Sequence, residues 1–389
     1  MKKVYILKSK RTPIGGFLSN LSKVTSNELA KMTVENLTCD FDKSLIEMAY
    51  VGNVLSSGLG QNVARQIMYS SGINVPSITV NRVCSSGMQA IIESYKAIKL
   101  GLNNCIIAGG VESMSNSPFL QNNIRNGKKF GNVDLVDSML LDGLTDPFSG
   151  KHMGEITEAL CEKHDINREE QDNYAINSYT RAREALENGY LTNEIVPVLI
   201  KNRRQELKIV DDEEINKVED LNKIKKLRSV FKKEGTITAG NASKLSDGAC
   251  FMILASEDFV KENGLKAEAE ILNIELTSGL PENFPLVPTE SIQNIIAKEG
   301  ISLEDVDYFE INEAFAIAPI MAHKELNIPY EKINVFGGAI SMGHPLGCSG
   351  ARIVNTLINI LNCKNGRVGC ASICNGGGGA TSLLIKSLK

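Results

Sequence analysis

The chain has 389 residues, more than one hydrophobic core usually serves, so its length implies two or three packed units. Hydrophobic residues make up 42% and charged residues 23%, with 33 glycines, a balance that excludes a largely disordered chain and suits an α/β protein. A formal net charge of −4 excludes a global positive field for a nucleic-acid backbone or an anionic membrane, so any anionic ligand must be met by a local cluster.

The opening Lys2-Lys3-Val4-Tyr5-Ile6-Leu7-Lys8 is basic, but its apolar run is too short for a signal peptide or a membrane span. The nine cysteines are scattered without paired CxxC spacing, so the expectation is a cytoplasmic protein with reduced thiols and no metal site. Val4 to Lys8 predicts a first strand, and Thr25-x-x-Glu28 predicts a capping box opening a helix through about Leu37. From Ser86, apolar residues 88, 91, 92, 95 and 98 fall at helical spacing, with Gly101 where a C-terminal glycine belongs. Cys105 to Ala108, ending in Gly109-Gly110, predicts a buried strand.

Beyond Asn116 the texture becomes charged and surface-rich. His164 to Tyr190 reads as helical, and Lys223, Lys225, Lys226, Arg228, Lys232 and Lys233 form the densest basic cluster, placed to attract a phosphorylated ligand or simply to solvate a helix face. Towards the end an earlier order returns. Gly347 to Arg352 precede an apolar helical stretch through Leu361, and Gly366-Arg367 lead to a buried strand, Val368 to Cys374, then four glycines. Ser86-Gly87 and Ser349-Gly350 occupy matching places, which predicts two duplicated α/β halves. The expected division is residues 1-115 with 245-267 as the first half, 116-244 as an inserted domain, and 268-389 as the second half.

Four segments carry candidate chemistry. Cys84 precedes Ser85-Ser86-Gly87 at a predicted helix start, where unpaired N–H groups and the positive dipole end would favour thiolate. His344, one of only four histidines, sits in the glycine-punctuated loop from Gly337 to Gly347 and is followed by Pro345, a setting for an oriented base. Cys374 ends a strand before Asn375-Gly376-Gly377-Gly378-Gly379, so a second acid/base and an oxyanion hole can come from one segment. Asn312, after the predicted strand Val306 to Ile311, can hold a water or donate to an oxyanion, while Glu313 reads as a cap for the next helix. A nicotinamide-dependent oxidoreductase fits poorly, because Gly58-Leu59-Gly60-Gln61-Asn62-Val63 lacks the third glycine of the dinucleotide pattern.

Taken in order, these segments resemble the thiolase family from end to end. Arg11-Thr12-Pro13-Ile14-Gly15, Gly60 to Gln66, Asn81 to Ala90 and Gly109 to Ser115 are similar to its N-terminal half. His152-Met153-Gly154 and Gly235 to Ser243 are similar to its loop domain. Asn312 to Ala316, Gly343-His344-Pro345 and Cys374-x-Gly-Gly-Gly are similar to its C-terminal half. The resemblance implies a five-layered αβαβα fold with an inserted CoA-binding loop domain, assembled as a homotetramer. It implies that Cys84 is the acylated nucleophile, His344 its activating base, and Cys374 the acid/base serving the substrate α-carbon and the CoA sulfur. Asn312, through a water, and His344 would form one oxyanion hole, and the amides of Cys84 and Gly376 the other. His152, Met153, Phe231, Ala239 and Ser243 match positions lining the pantetheine and adenine tunnel, with Leu144, Ala314 and Phe315 near the acyl end.

Asp146 to Gly150 and His152-Met153 look like the short-chain biosynthetic branch. The implied activity is therefore acetyl-CoA C-acetyltransferase, with acetyl-CoA, acetoacetyl-CoA and CoA as its small-molecule partners, no prosthetic group, and no nucleic-acid or membrane partner. A broader or longer-chain 3-ketoacyl-CoA thiolase is the alternative. A non-catalytic acyl-CoA carrier is an alternative of another class, and would be expected to lack one of Cys84, His344 and Cys374. Two departures stand out: Leu280 to Pro288 replaces a glycine-rich stretch, and Asn216 stands where many members carry arginine. With two site thiols, a Cys84–Cys374 disulfide is a further possibility for regulation.

Overall fold

The computed structural model describes residues 2–202 and 205–389. The strands of its main sheet are β1 (Val4–Arg11), β2 (Met48–Gly52), β3 (Ser77–Val80), β4 (Cys105–Ser113), β5 (Ser246–Ser256), β6 (Ala269–Ser278), β7 (Tyr308–Ile311), β8 (Val368–Asn375) and β9 (Gly379–Ser387). Their spatial order is β7-β8-β9-β6-β1-β5-β4-β2-β3, with a two-residue strand, Gly15–Gly16, beside β5. The helices that matter for the site are α1 (Ser26–Leu37), α2 (Val63–Ser70), α3 (Ser86–Lys99), α4 (Met153–Lys163), α5 (Arg168–Glu187), α6 (Val287–Glu299), α7 (Ile317–Leu326) and α8 (Leu346–Cys363).

The two half-sheets repeat one plan. In the first, β2 runs parallel to β4, and β5 lies antiparallel between β4 and β1. In the second, β7 runs parallel to β8, and β9 lies antiparallel between β8 and β6. Each half places its long helix, α3 or α8, immediately before the corresponding central strand, β4 or β8. The halves join edge to edge through antiparallel β1 and β6, with Val4 opposite Ile271.

Helix α8 packs on β4 and β5 of one half and on β7 and β8 of the other, with α3 beside it. Helix α1 covers the outer face of β5, β4 and β1, while α6 covers β6, β9 and β8. The layers therefore run α, β, α, β, α, as the resemblance implies. Because both faces of the central strands are covered, every residue of β4 and of β5 is buried, which explains their unbroken apolar runs.

The duplicated Ser-Gly pairs mark where the two central helices touch. A Cβ on Gly350 would lie 2.5 Å from the backbone nitrogen of Met88, and one on Gly87 would lie 2.8 Å from the Gly347 carbonyl oxygen. Glycine inside a helix costs about 1 kcal/mol relative to alanine. Here it is required by backbone-to-backbone approach, and the approach brings the start of α3 against the start of α8.

Local signals match the structure in several places. Thr25 and Glu28 form the capping box of α1, which ends at Leu37. Gly101 takes φ +72° after α3. The helical reading of His164 to Tyr190 is shortened: α5 begins at Arg168 after the Asn167 cap, and Asp165 at φ +52° separates it from α4. The predicted strand from Val306 begins instead at Tyr308, because Val306 closes a 3₁₀ turn by donating its N–H to the Leu303 carbonyl.

Candidate active site

Cys84 lies two residues before α3, in a turn held by several independent bonds. Val83 takes φ +48°, a strained value for a β-branched residue. The turn persists because the Val83 N–H donates to Asn81 Oδ1 at 2.9 Å and the Ser86 hydroxyl donates to the Val83 carbonyl at 2.6 Å. Ser85 Oγ then reaches across to the other half of the molecule, donating to Asn375 Oδ1 at 3.0 Å. The nucleophile candidate of one half is thereby tied to the glycine tract of the other.

The expectation that the helix start favours thiolate meets an opposing effect, the desolvation of the half-buried Cys84. The N–H groups of Gly376 and of Cys84 itself do pull the thiol's pKa down, but desolvation outweighs them and raises it to about 12. Cys374 is fully buried, and its pKa is raised by desolvation and then by the neighbouring Cys84. Both are free thiols.

His344 is almost fully buried, and burial lowers its pKa to about 3, with the charge of Arg352 acting in the same direction. Its tautomer follows from its partners. Ser349 Oγ donates to the Pro345 carbonyl at 2.9 Å, so it must accept from His344 Nδ1, 2.6 Å away. The lone pair is left on Nε2, which stands 3.5 Å from the Asn312 side-chain nitrogen. The His344 N–H is anchored on the Lys244 carbonyl at 3.0 Å and on Ser246 Oγ at 3.2 Å. The preceding Gly343, at φ +118°, has no room for a side chain, since a Cβ would fall 2.2 Å from Ser246 Oγ. Asn312 is fully buried, and its Oδ1 has no hydrogen-bond partner among the described residues.

Two buried carboxylates that sequence reasoning left without a site role brace this arrangement. Glu313 does not cap the following helix, α7. It accepts from Tyr174 Oη and Ser178 Oγ of α5, both at 2.8 Å, from Asn334 Nδ2 at 2.9 Å, and from the Ile340 amide at 3.0 Å in the short helical turn Ala339–Met342 that leads to His344. Glu112 accepts from Asn53 Nδ2 at 2.9 Å, from the amides of Val54 and Leu55 at 3.0 and 3.2 Å, and from the Gly347 amide at 3.0 Å. Burial raises the Glu112 pKa to about 7, but every partner donates, so the geometry serves the ionised carboxylate. Ser349, Asn375, Glu112 and Glu313 carry no signal of their own in a single sequence. Each is recognisable only by the partner it meets.

A cavity of about 390 Å³ opens onto Cys84, His344 and Gly376. Its walls include all of the expected tunnel and acyl-end residues: Leu144, His152, Met153, Phe231, Ala239, Ser243, Ala314 and Phe315. Cys374 and Asn312 lie outside this lining, fully buried. His152 caps α4, its Nδ1 accepting from the Gly154 amide at 3.0 Å, and its ring stacks on Phe231 with centroids 4.8 Å apart. Phe315 meets Phe231 and Phe284 edge-on, each at 6.3 Å. Phe284 and Lys244 also line the cavity and were not foreseen. Phe284 comes from the Leu280 to Pro288 stretch, so that departure from the family pattern supplies part of the wall.

The chain has clear relatives among known proteins. The family model described as thiolase, N-terminal domain, matches residues 4–258, and that described as thiolase, C-terminal domain, matches residues 265–387. An acetyl-CoA acetyltransferase of Arabidopsis thaliana is 44% identical, covering 99% of this chain and 97% of its own. A cytosolic acetyl-CoA acetyltransferase of Gibberella zeae is 43% identical, covering 99% of this chain and 98% of its own. Among solved structures, the Bacillus anthracis acetyl-CoA acetyltransferase superposes with a TM-score of 0.97 at 38% identity, covering 100% of this chain and 99% of its own. An Ascaris suum thiolase in complex with coenzyme A gives a TM-score of 0.92 at 40% identity, covering 99% of this chain and 100% of its own. With both family models matched in order along nearly its whole length, and with a thiolase fold, the chain belongs to the thiolase family.

Proposed function

We propose that the protein is an acetyl-CoA C-acetyltransferase that reversibly condenses two molecules of acetyl-CoA to acetoacetyl-CoA and CoA through an acetyl thioester on Cys84. The observation carrying this reading is that Cys84, His344 and Gly376 open onto one cavity, with Cys374 buried near enough that negative charge on Cys84 would raise its pKa.

In the first half-reaction His344 Nε2 takes the Cys84 proton as the sulfur attacks the acetyl carbon. Desolvation disfavours both a Cys84 thiolate and a His344 imidazolium, which supports a transfer that accompanies attack rather than preceding it. CoA leaves as a thiolate and takes a proton from Cys374. In the second, the Cys374 thiolate removes an α-proton from a second acetyl-CoA, and the resulting enolate attacks acetyl-Cys84. Cys84 is expelled and regains its proton from His344. The amides of Cys84 and Gly376 are assigned to one oxyanion. The other is assigned to His344 and to a water on Asn312, whose orphaned Oδ1 supports that role.

Residues 116-244 are assigned to CoA binding. The exposed Lys223, Lys225, Lys226 and Arg228, just before the cavity residues Val230 and Phe231, offer positive charge to its phosphates. Lys232 is instead paired with Glu162 at 2.7 Å. The apolar lining supports a CoA thioester as substrate and product, with no prosthetic group required. The same reading includes a cytoplasmic homotetramer. A carrier without catalysis is disfavoured because Cys84, His344 and Cys374 are all retained.

The test is acetoacetyl-CoA thiolysis compared with longer 3-ketoacyl-CoA substrates, run beside Cys84→Ser. Loss of turnover in the variant, with the four-carbon substrate preferred by the parent, is the expected result. Equal rates for parent and variant would end the covalent mechanism, and preference for long chains would end the short-chain assignment.

A further inference from the structure

Lys244 is the one lysine in the lining of the acyl-CoA cavity, directly after Ser243. Its ammonium caps the carbonyls of Ala239 and Ala242, the latter at 3.4 Å, and lies 5.9 Å from the centre of the Tyr179 ring. No carboxylate pairs with it at salt-bridge distance among the described residues; Glu214 acts on it only through its more distant charge. The mechanism above leaves this amine unused, although a CoA thioester bound in the cavity would bring an electrophile to the wall that Lys244 helps to form.

We propose that Lys244 is a site of self-acylation, its side-chain nitrogen taking the acyl group from a CoA thioester bound in the cavity and thereby switching the enzyme off. The proposal rests on the acyl-CoA reading of the site. In the step, the neutral Nζ attacks the thioester carbonyl, a C–N bond forms and the C–S bond breaks. The amine gives up one proton, the departing CoA sulfur gains one, and the products are an N-acyl lysine and free CoA.

Two physical features favour this half-buried lysine over the fully exposed ones. Burial draws its pKa down to about 8, against the opposing charge of Glu214. About half of it is then neutral at pH 8, against under about 1% of an ordinary lysine. The Ala239 and Ala242 carbonyls favour the ammonium and must be released before attack, while Glu214 is itself paired with Lys217 at 2.5 Å, burial raises the Tyr179 phenol, and burial disfavours a charged His344. Binding in the cavity adds proximity to the thioester. Acylation removes the positive charge and the ammonium that caps two carbonyls of the 239–244 segment, and it adds an acyl group to the lining of a cavity of only about 390 Å³.

The full-length protein, incubated with acetyl-CoA at pH 8, treated with hydroxylamine to clear thioesters and then mass-mapped, tests the proposal. Acetyl-Lys244 should form at least about tenfold faster than acetyl-Lys225 or acetyl-Lys226, in line with its larger neutral fraction. Excess free CoA should suppress labelling at Lys244 alone. Thiolysis activity should decline in step with occupancy, and Lys244→Arg, whatever its starting activity, should show no such decline. An enzyme active in thiolysis whose Lys244 labels no faster than Lys225, or labels regardless of CoA, overturns the proposal and leaves the assigned reaction standing. A chain inactive in thiolysis and unlabelled at Cys84 before hydroxylamine overturns both.

Discussion

Ser349 Oγ accepts the Nδ1 proton of His344 at 2.6 Å while giving its own proton to the Pro345 carbonyl, and this pair of bonds fixes which imidazole nitrogen faces the cavity. Both residues stand at the start of α8, whose first turn is held on the Glu112 carboxylate through the Gly347 amide. The base is therefore oriented by the same helix that joins the two halves of the fold. Ser349→Ala should leave KM for acetoacetyl-CoA nearly unchanged and lower kcat about tenfold, whereas His344→Ala should lower kcat by about 10² to 10⁴, the range for loss of a general base. Steady-state thiolysis with a KM-against-kcat comparison checks the split. A Ser349→Ala effect confined to KM would mean that the serine acts on binding rather than on the imidazole.

His344 also makes stability depend on pH with a definite sign. Its pKa falls from the usual 6.5 to about 3 on folding, so between these values the unfolded chain binds a proton that the native protein does not. The stabilising contribution is complete above about pH 6.5 and is lost as pH falls through that window, by at most about 1.4 kcal/mol per pH unit. His344→Asn should remove this component, so its midpoint of thermal unfolding should fall less steeply between pH 6.5 and 4 than that of the parent. Parallel slopes in differential scanning calorimetry would show that the histidine is not buried neutral.

The halves of the fold were legible in the sequence because each carries the same local grammar: a Ser-Gly pair at a helix start, an apolar helix, and an unbroken apolar strand. Cys84, His344 and Cys374 stood out as candidates for a related reason, since each sits at an element end marked by glycine or proline. Sequence pattern failed where long-range burial decides the outcome. The helix start before Ser86 suggested a thiolate, but desolvation, which no local pattern reveals, acts against the dipole. Glu313 looked like a cap because its neighbours form a helix, yet its partners come from α5 and from Asn334 and Ile340. Lys244 and Phe284 are single residues in irregular segments, and nothing in their neighbours reveals that they reach the cavity.

The contact between central helices makes a sharp prediction for Gly350. Its φ is ordinary for a helix, so alanine would normally stabilise by relieving chain entropy. Here the added methyl would sit 2.5 Å from the Met88 backbone nitrogen, which α3 cannot vacate without moving Cys84. Gly350→Ala should therefore destabilise by about 1 to 3 kcal/mol or more, as overpacking does, and should reduce acylation of Cys84 as well. Denaturant unfolding together with trapping of the acetyl-enzyme reads both effects, and a variant as stable as the parent would contradict the close approach.

Phe231 tests the cavity from the side of the inserted segment. Its ring stacks on His152, meets Phe315 edge-on, and lies where a Cβ on Gly154 would approach within 2.3 Å, so α4 is packed directly on it. Neither Cys84 nor His344 depends on Phe231 for a hydrogen bond. Phe231→Ala should thus weaken binding of the CoA portion while sparing the chemical step. Phe231 is half-buried in the free protein and would be covered by the bound CoA portion, and removing an aromatic contact of this kind costs about 1.5 to 3 kcal/mol, which corresponds to a rise in KM of roughly 10- to 150-fold with kcat changed only severalfold. The check is a truncated thioester carrying only the cysteamine end of CoA: if Phe231 serves the tunnel rather than the acyl site, kcat/KM for that short substrate should be nearly equal in parent and variant. A comparable loss with both substrates would instead place the ring's contribution at the reacting carbon.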